Sequence, residues 1–362
     1  MNRYAIPISE RVRVSQSAPD WELNVQIGVA PRILTDVEIH QDSLWSEATS
    51  FVRRVDSPVL DSLGRWLRRN TEGPSAVFTA LKLLVHQGDY DAVVTSGLRT
   101  SQIFGFLRTL LRMRRPPHIH LELVLDEEKN SLSWKLKRAF QRLAFASTDL
   151  LITSSAREID IYSDRLQFSP ERFRFVLFHT NVVNPGVVGK ERGYAFSAGR
   201  SGRDYQALAS AVAGLDLDLV VLGDAASLRD VNFPDRTQVL VDQPYERYLE
   251  LLHGCDFVIV PLNEVKSARG QVVILEAMAV GKPVIATETV GTEDYIEPGV
   301  NGFLVPPGDV PALRDAIQRL HEDAQLRERL RQRGLKDIQR HTFRVYVESV
   351  LGHVEQVIAD RR

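Results

Sequence analysis

Two short stretches of this sequence hold residue types suited to binding a diphosphate. In the first, Ser267-Ala-Arg-Gly-Gln271, a loop runs into an apolar helix-forming segment that Gly270-Gln271 opens. Unpaired amides at a helix start, with the positive end of its dipole, favour an anion, and a glycine lets the backbone come close to it. Glu276 lies about two turns inside the same helix, and a carboxylate can accept both hydrogen bonds of a vicinal diol such as a ribose. The second stretch, Gly199-Arg-Ser-Gly-Arg-Asp204, directly follows a strand. Arg200 and Arg203 in such a loop can hold a diphosphate by paired hydrogen bonds and charge, the part a divalent metal plays elsewhere. Plainer roles suit the same residues: a turn at Gly270, a solvated helix position at Glu276, ion pairs from the arginines to Asp204 or Asp224. Spacing alone leaves both open.

The elements around these stretches predict an α/β fold. In the second half Tyr194–Ala198, Leu217–Leu222, Gln238–Val241, Phe257–Pro261, Val284–Thr287 and Gly302–Val305 read as strands. Helices are predicted over Tyr205–Ala213, Tyr245–Leu252 and Gln271–Val280, the last stopped by a left-handed Gly281. Asp309 is predicted to cap a further helix with Pro311 in its first turn. Phe257–Pro261 has no polar face and reads as a fully buried strand. Alternation of this kind gives a parallel sheet with helices on both faces, and ligands sit beyond the carboxyl ends of its strands. The loops after Ala198, Leu222, Pro261 and Thr287 are therefore the ones to inspect.

The first half predicts strands at Tyr90–Thr95, His118–Leu125 and Leu150–Thr153. Its predicted helices are Val59–Arg69, Ser75–His86, Leu132–Phe145 and Ala156–Leu166, and Asn24–Ala30 is the best strand candidate near the start. A link from Phe175 through Asn184-Pro-Gly186 to Gly189 reads as an interdomain hinge. Residues 1–185 are expected to form an acceptor-binding domain and 186–342 a donor-binding domain. The tail, 343–362, repeats apolar residues at helical spacing from Phe343 to Ile358 and should pack back on the first domain.

Length and composition agree with two ordinary globular domains: 362 residues, 44% hydrophobic and 25% charged, net charge -2. Neither half has the cationic excess of a dedicated nucleic-acid binder, so no nucleic acid is expected as a partner. One cysteine excludes a disulfide framework. No apolar run long enough to span a membrane and no signal-peptide profile is read, which predicts a cytoplasmic protein.

The run LEAMAVGKPVIAT, followed by GTEDYIEPGVNGFLVPPGD, resembles the nucleotide-sugar site of retaining GT-B glycosyltransferases, specifically glycosyltransferase family 4. FSAGRSGRDYQAL and HGCDFVIVPL resemble two further strand ends of that family. The resemblance covers about Tyr194 to Gly334 and implies a GT-B-like fold, two Rossmann-like domains facing a central crevice. It implies a hexosyltransferase that takes a UDP- or GDP-sugar as co-substrate, needs no metal or other cofactor, and glycosylates a glycan or lipid-linked acceptor. Carried over by position, Gly199 and Arg200 meet the diphosphate, Arg203 supplies a charge the family usually takes from a lysine, and Glu276 holds the ribose. Gly270 and Gln271 match the loop whose amides approach the donor phosphates and sugar. Ala268 stands where the family has its first glutamate and cannot take that residue's hydrogen bonds to the sugar; Lys266, Arg269 or Gln271 could compensate.

A retaining transfer of this kind needs no protein nucleophile, because the leaving diphosphate can take the acceptor's proton on the same face. Catalytic candidates are Arg200, for phosphate charge, and His120 and Asp126 on the first domain, with Glu122 and Glu127 nearby. The alternative function is a nucleotide-sugar-binding homologue that has lost catalysis, with Ala268 as its support. Asp216-Leu-Asp218 and Cys255 resolve as a polar strand edge and a small core residue. Between Ala92 and Leu121 lie five arginines and no acid. The segment 101–117 therefore reads either as a basic amphipathic helix making peripheral contact with the inner face of a membrane, or as a core helix with a cationic end.

Overall fold

The computed structural model describes residues 31–37, 43–52, 72–127, 130–264 and 266–361. The strand expected over Asn24–Ala30 and the helix over Val59–Arg69 lie outside them.

Two six-stranded, all-parallel sheets carry the chain. The first has the order β2-β1-β3-β4-β5-β6, built from β1 (Ile33–Thr35), β2 (Thr49–Phe51), β3 (Ala92–Thr95), β4 (His118–His120), β5 (Leu150–Thr153) and β6 (Phe173–Phe175). Alternate residues of each strand serve opposite faces. Ile33, Val94, Ile119 and Ile152 face a core closed by Trp45 of α1 (Ser43–Ala48) and by the tail helix. Leu34 and Val93 face α2 (Glu72–His86) and α3 (Leu98–Leu110), and Leu151 faces α4 (Leu132–Phe145) and α5 (Arg157–Leu166). Steps from β3 to β6 all run one way across the sheet, so right-handed crossovers put α3, α4 and α5 on one side.

The second sheet has the order β12-β11-β10-β7-β8-β9. Its strands are β7 (Tyr194–Ala198), β8 (Asp218–Gly223), β9 (Thr237–Val241), β10 (Phe257–Val260), β11 (Val284–Thr287) and β12 (Phe303–Val305). One face packs on α7 (Tyr245–Gly254) and α8 (Gln271–Ala279), the other on α6 (Tyr205–Val212), α9 (Val310–Glu322) and α10 (Ala324–Asp337). The cap by Asp309, which accepts from the Ala312 amide, and the left-handed Gly281 stand where the sequence puts them. Strand order reverses between β10 and β7, and crevices that bind ligands open at such a switch point. Both glycine-bearing loops leave from these two strands.

Two sequence expectations change, and one pair of alternatives is decided. The strand expected over His118–Leu125 stops at His120, because Glu122 takes a left-handed φ of 54° and turns the chain out of the ladder. Phe173–Phe175 is an edge strand rather than the start of the link. The segment 101–117 takes the reading of a core helix with a cationic end: Ser101, Phe104 and Arg108 are fully buried, α3 is packed between α2 and α4, and the exposed residues of the segment lie at its end, Leu110 to Arg112, Arg114 and Arg115. Buried Arg108 is held by the Gln87 carbonyl oxygen at 2.8 Å and the Pro116 carbonyl at 2.6 Å.

The tail helix α11 (Phe343–Asp360) lays Tyr346, Val347, Val350 and Val354 on the first sheet. The chain thus crosses between domains twice, and the crossings are tied where the Thr180 amide donates to His341. Val350 has no exposure, so Val350→Asp buries an unpaired charge. It should lower stability by about 3 kcal/mol or more, read as a lower urea midpoint for loss of the first domain. An unchanged midpoint would show that the tail does not support that core.

Candidate functional site

The loop after β7 is held from below by its own arginine. Gly199 has φ of 131°, and a Cβ there would lie 2.3 Å from the Arg203 guanidinium. Arg203 donates to the Ala198 carbonyl at 3.0 Å and the Ser201 carbonyl at 3.1 Å, and burial pushes its pKa down. Arg203 therefore shapes the loop as well as charging it. The loop is stitched to the one after β10: Asn263 donates from its amide to Gly202 at 2.9 Å and from Nδ2 to Arg203 at 3.1 Å. Arg269 lies on the other side, with its Cδ 3.0 Å from where a Gly202 side chain would start. Arg200 points to the rim, 3.5 Å from Asp242, both half exposed.

The second loop ends on Gly270, φ 88°, which no side chain caps. A Cβ at Gly270 would press on Val260 and Leu262. The first amides of α8 therefore open at the switch point with Arg269 beside them, between α8 and the loop that Arg203 shapes.

Glu276 is not the solvated helix residue that spacing alone also allows. It is 1% exposed, its Oε1 accepting from Tyr245 at 2.9 Å and Asn181 at 3.3 Å, its Oε2 from Tyr248 at 2.7 Å. Burial raises its pKa, opposed by those three donors. A carboxylate has about four acceptor sites, so one remains open beside the half-buried Asn181 and Tyr245.

Across the seam the first domain offers the loop after β5. Ser154 accepts from Tyr295 at its carbonyl, 2.7 Å, and from Gln271 Nε2 at its hydroxyl, 3.4 Å. Glu158, on the first turn of α5 and fully buried, accepts from the Ala268 amide at 2.8 Å and from Tyr162 at 2.8 Å, and on its other oxygen from the Ser154 amide at 3.3 Å. A carboxylate from the opposite domain thus meets the backbone of the residue that lacks one. Gly291 permits the contact: a Cβ there would be 2.7 Å from the Ala268 methyl.

Residues 203–323 match the family described as glycosyl transferases group 1. The match lies within the second domain. Among similar curated proteins are alpha-D-kanosaminyltransferase of Streptomyces kanamyceticus, 31% identical over 124 residues, 32% of this chain and 31% of that one. N-acetyl-alpha-D-glucosaminyl L-malate synthase of Bacillus anthracis is 30% identical over 140 residues, 37% of this chain and 35% of that one. The chain thus aligns with about a third of the length of these relatives. Solved structures extend the likeness of fold over both domains. Sucrose-phosphate synthase from Thermosynechococcus elongatus superposes with TM-score 0.66 at 18% identity, over 87% of this chain and 85% of that one. Anabaena HepE in complex with UDP and glucose superposes with TM-score 0.61 at 17% identity, over 91% of this chain and 99% of that one. The fold is GT-B, two Rossmann-like domains.

The first-domain candidates divide. His120 is fully buried, its Nδ1 paired with Ser101 at 2.7 Å, and burial takes its pKa down to about 3, so in this arrangement it stands inside the core rather than on the surface. Asp126 is exposed and paired with Lys137, which holds its pKa low; the field of Arg269 on the second domain also reaches it. Glu122, passed over as a first choice, sits in strained left-handed backbone with its carboxylate under the Tyr346 hydroxyl at 3.0 Å, and burial raises its pKa. Glu158 had no sequence signal, because its role depends on the other domain. Asp216 and Asp218 both pair with Arg236, and among the described residues no cluster suits a metal ion. A cavity of about 530 Å³ lined by Arg192, Arg236 and Arg247 opens beside the amino ends of β7–β9, away from both glycine loops.

Glu158 and Glu276 both have pKa values raised above the ordinary 4.5. The native state then holds more protons than the unfolded one from about pH 4.5 up to the raised values, and stability falls as pH rises through that window. Glu158→Gln should flatten this fall, measured as melting temperature against pH; an unchanged slope would place the Glu158 titration elsewhere.

Proposed function

We propose that the protein is a retaining glycosyltransferase that moves a hexosyl group from a UDP- or GDP-sugar to a hydroxyl of a glycan or lipid-linked acceptor, acting in the cytoplasm in polysaccharide or glycoconjugate biosynthesis. The observation that carries this reading is the meeting of the uncapped start of α8 with Arg203, Arg269 and the Gly199 loop at the strand-order reversal. The group 1 match and the UDP-bound fold relative support the donor class.

In this reading the α8 amides and Arg269 hold the diphosphate while Arg203 keeps the glycine loop open to it. The bond from the anomeric carbon to the diphosphate oxygen breaks, and these fixed positive groups stabilise the charge that gathers on the phosphate. The acceptor hydroxyl attacks on the same face and gives its proton to that departing oxygen. Arg200 can join by leaving Asp242, since a half-exposed pair 3.5 Å apart is worth about 0–1 kcal/mol. The ribose hydroxyls take the open site on Glu276, displacing Asn181, its longest partner. Asp126 and Glu122 supply negative charge on the acceptor side, where positive charge develops at the sugar carbon. No resident metal or other cofactor enters this scheme.

The rival is a domain that binds the donor without transferring its sugar, and Ala268 together with the protein-bound Glu276 favours it. Screening UDP-, GDP- and ADP-sugars by thermal shift, followed by transfer assays on an acceptor panel, separates the two. One donor class should raise the melting temperature. Arg269→Ala should weaken that donor by about tenfold or more at unchanged free-protein stability, whereas Arg203→Ala should lower both. A donor shift without turnover supports the rival; no shift with any donor defeats both.

A further inference from the structure

The first domain carries an apolar face that no other described residue covers. On α4, Leu132, Leu136, Phe140 and Leu143 recur at i, i+4, i+8 and i+11 and are 74%, 65%, 42% and 47% exposed. The opposite side of the same helix buries Gln141, Ala144 and Phe145 against the domain. A helix that packs by one face normally shows solvent a polar one; here both faces are apolar and the cations lie between them. Lys135 and Arg142, both exposed, flank the outer stripe.

The stripe continues onto the neighbouring helix. Phe140 meets Phe106 of α3 with ring centroids 5.7 Å apart, and Arg114 donates to the Ala146 carbonyl at 2.8 Å, tying the ends of the two helices together. At that end Leu110 and Leu111 are 66% and 56% exposed, followed by the exposed Arg112. No acidic residue occurs from 92 to 121 or from 129 to 148. Among the described residues no helix is long and apolar enough to cross a bilayer, so any lipid contact must be lateral.

We propose that the α4 face, continued by the end of α3, docks on an anionic lipid bilayer, with Leu132, Leu136, Phe140 and Leu143 in the acyl boundary and Lys135, Arg142 and Arg112 among the headgroups. Charge complementarity selects this occupant. An apolar face flanked by Lys135, Arg142 and Arg112, with the nearby exposed Asp126 already paired to Lys137 of α4, matches a surface of negative headgroups over hydrocarbon. The face is separate from the crevice, so the inference stands or falls apart from the donor reading. It also replaces 101–117 with 132–145 as the principal contact.

The test is co-sedimentation of the full chain with phosphatidylcholine vesicles and with vesicles enriched in phosphatidylglycerol, at low and high salt. Recovery with the anionic vesicles only, weakened by salt, is expected. Leu132→Ser with Leu136→Ser, and separately Lys135→Glu with Arg142→Glu, should each lower that partitioning about tenfold or more while the melting temperature holds, because all four side chains are exposed. Equal recovery with neutral and anionic vesicles, or variants that partition like the parent, would overturn the proposal. So would light scattering that shows a dimer converted to monomer by the serine pair without vesicle recovery, since the face would then pair with a second copy.

Discussion

A carboxylate buried without a cation, Glu158, sets the two halves of the molecule against each other. Taking a charge out of water costs several kcal/mol, and among the described residues no arginine or lysine pairs with it. Backbone amides and a tyrosine hydroxyl do so instead, and one of those amides belongs to Ala268 on the opposite domain. The position of the donor loop is thus fixed from across the seam. Tyr295 and Gln271 add two more bridges to Ser154, and Gly291 is the small residue that leaves room for Ala268 and Gln271 behind that seam. A side chain at position 291 would push the loop away before it touched any ligand.

Behind that seam, three guanidinium groups fall into separate duties. Arg203 spends its hydrogen bonds on loop carbonyls, Arg200 rests in a weak pair at the rim, and Arg269 lies beside the start of α8. Positive charge held by backbone geometry does not have to reorganise when a phosphate leaves, and this is where electrostatic stabilisation gains most. Glu276, by contrast, is tied into α7 and the interdomain link, so a change at its remaining acceptor site would be felt by the crossing strand at Asn181.

Much of the second domain was legible because parallel strands there are runs of apolar residues, most of them stopped by glycine or proline. Val284–Thr287 and Tyr194–Ala198 emerge with the bounds read from sequence, and Gly281 ends its helix as expected. The first domain hid more. A left-handed glutamate cut β4 short, which no periodicity announces, and His120 looked reactive while the fold was closing Phe145 and α3 over it. Helical spacing pointed to 101–117 as the basic amphipathic segment and marked 132–145 only as a helix. Only the layer order, α3 packed between two neighbours, decides which of them keeps its apolar side exposed. Glu158 was invisible for a related reason: its partner lies 110 residues away in the other domain.

The most direct measurement is a crystal structure of the protein with an intact nucleoside-diphosphate sugar. The arrangement described here places the diphosphate oxygens within hydrogen-bond distance of the Gly270–Gln271 amides and the Arg269 guanidinium, with the ribose beside Glu276. A diphosphate ordered instead in the cavity of Arg192, Arg236 and Arg247, with Arg269 turned from an empty crevice, would contradict it.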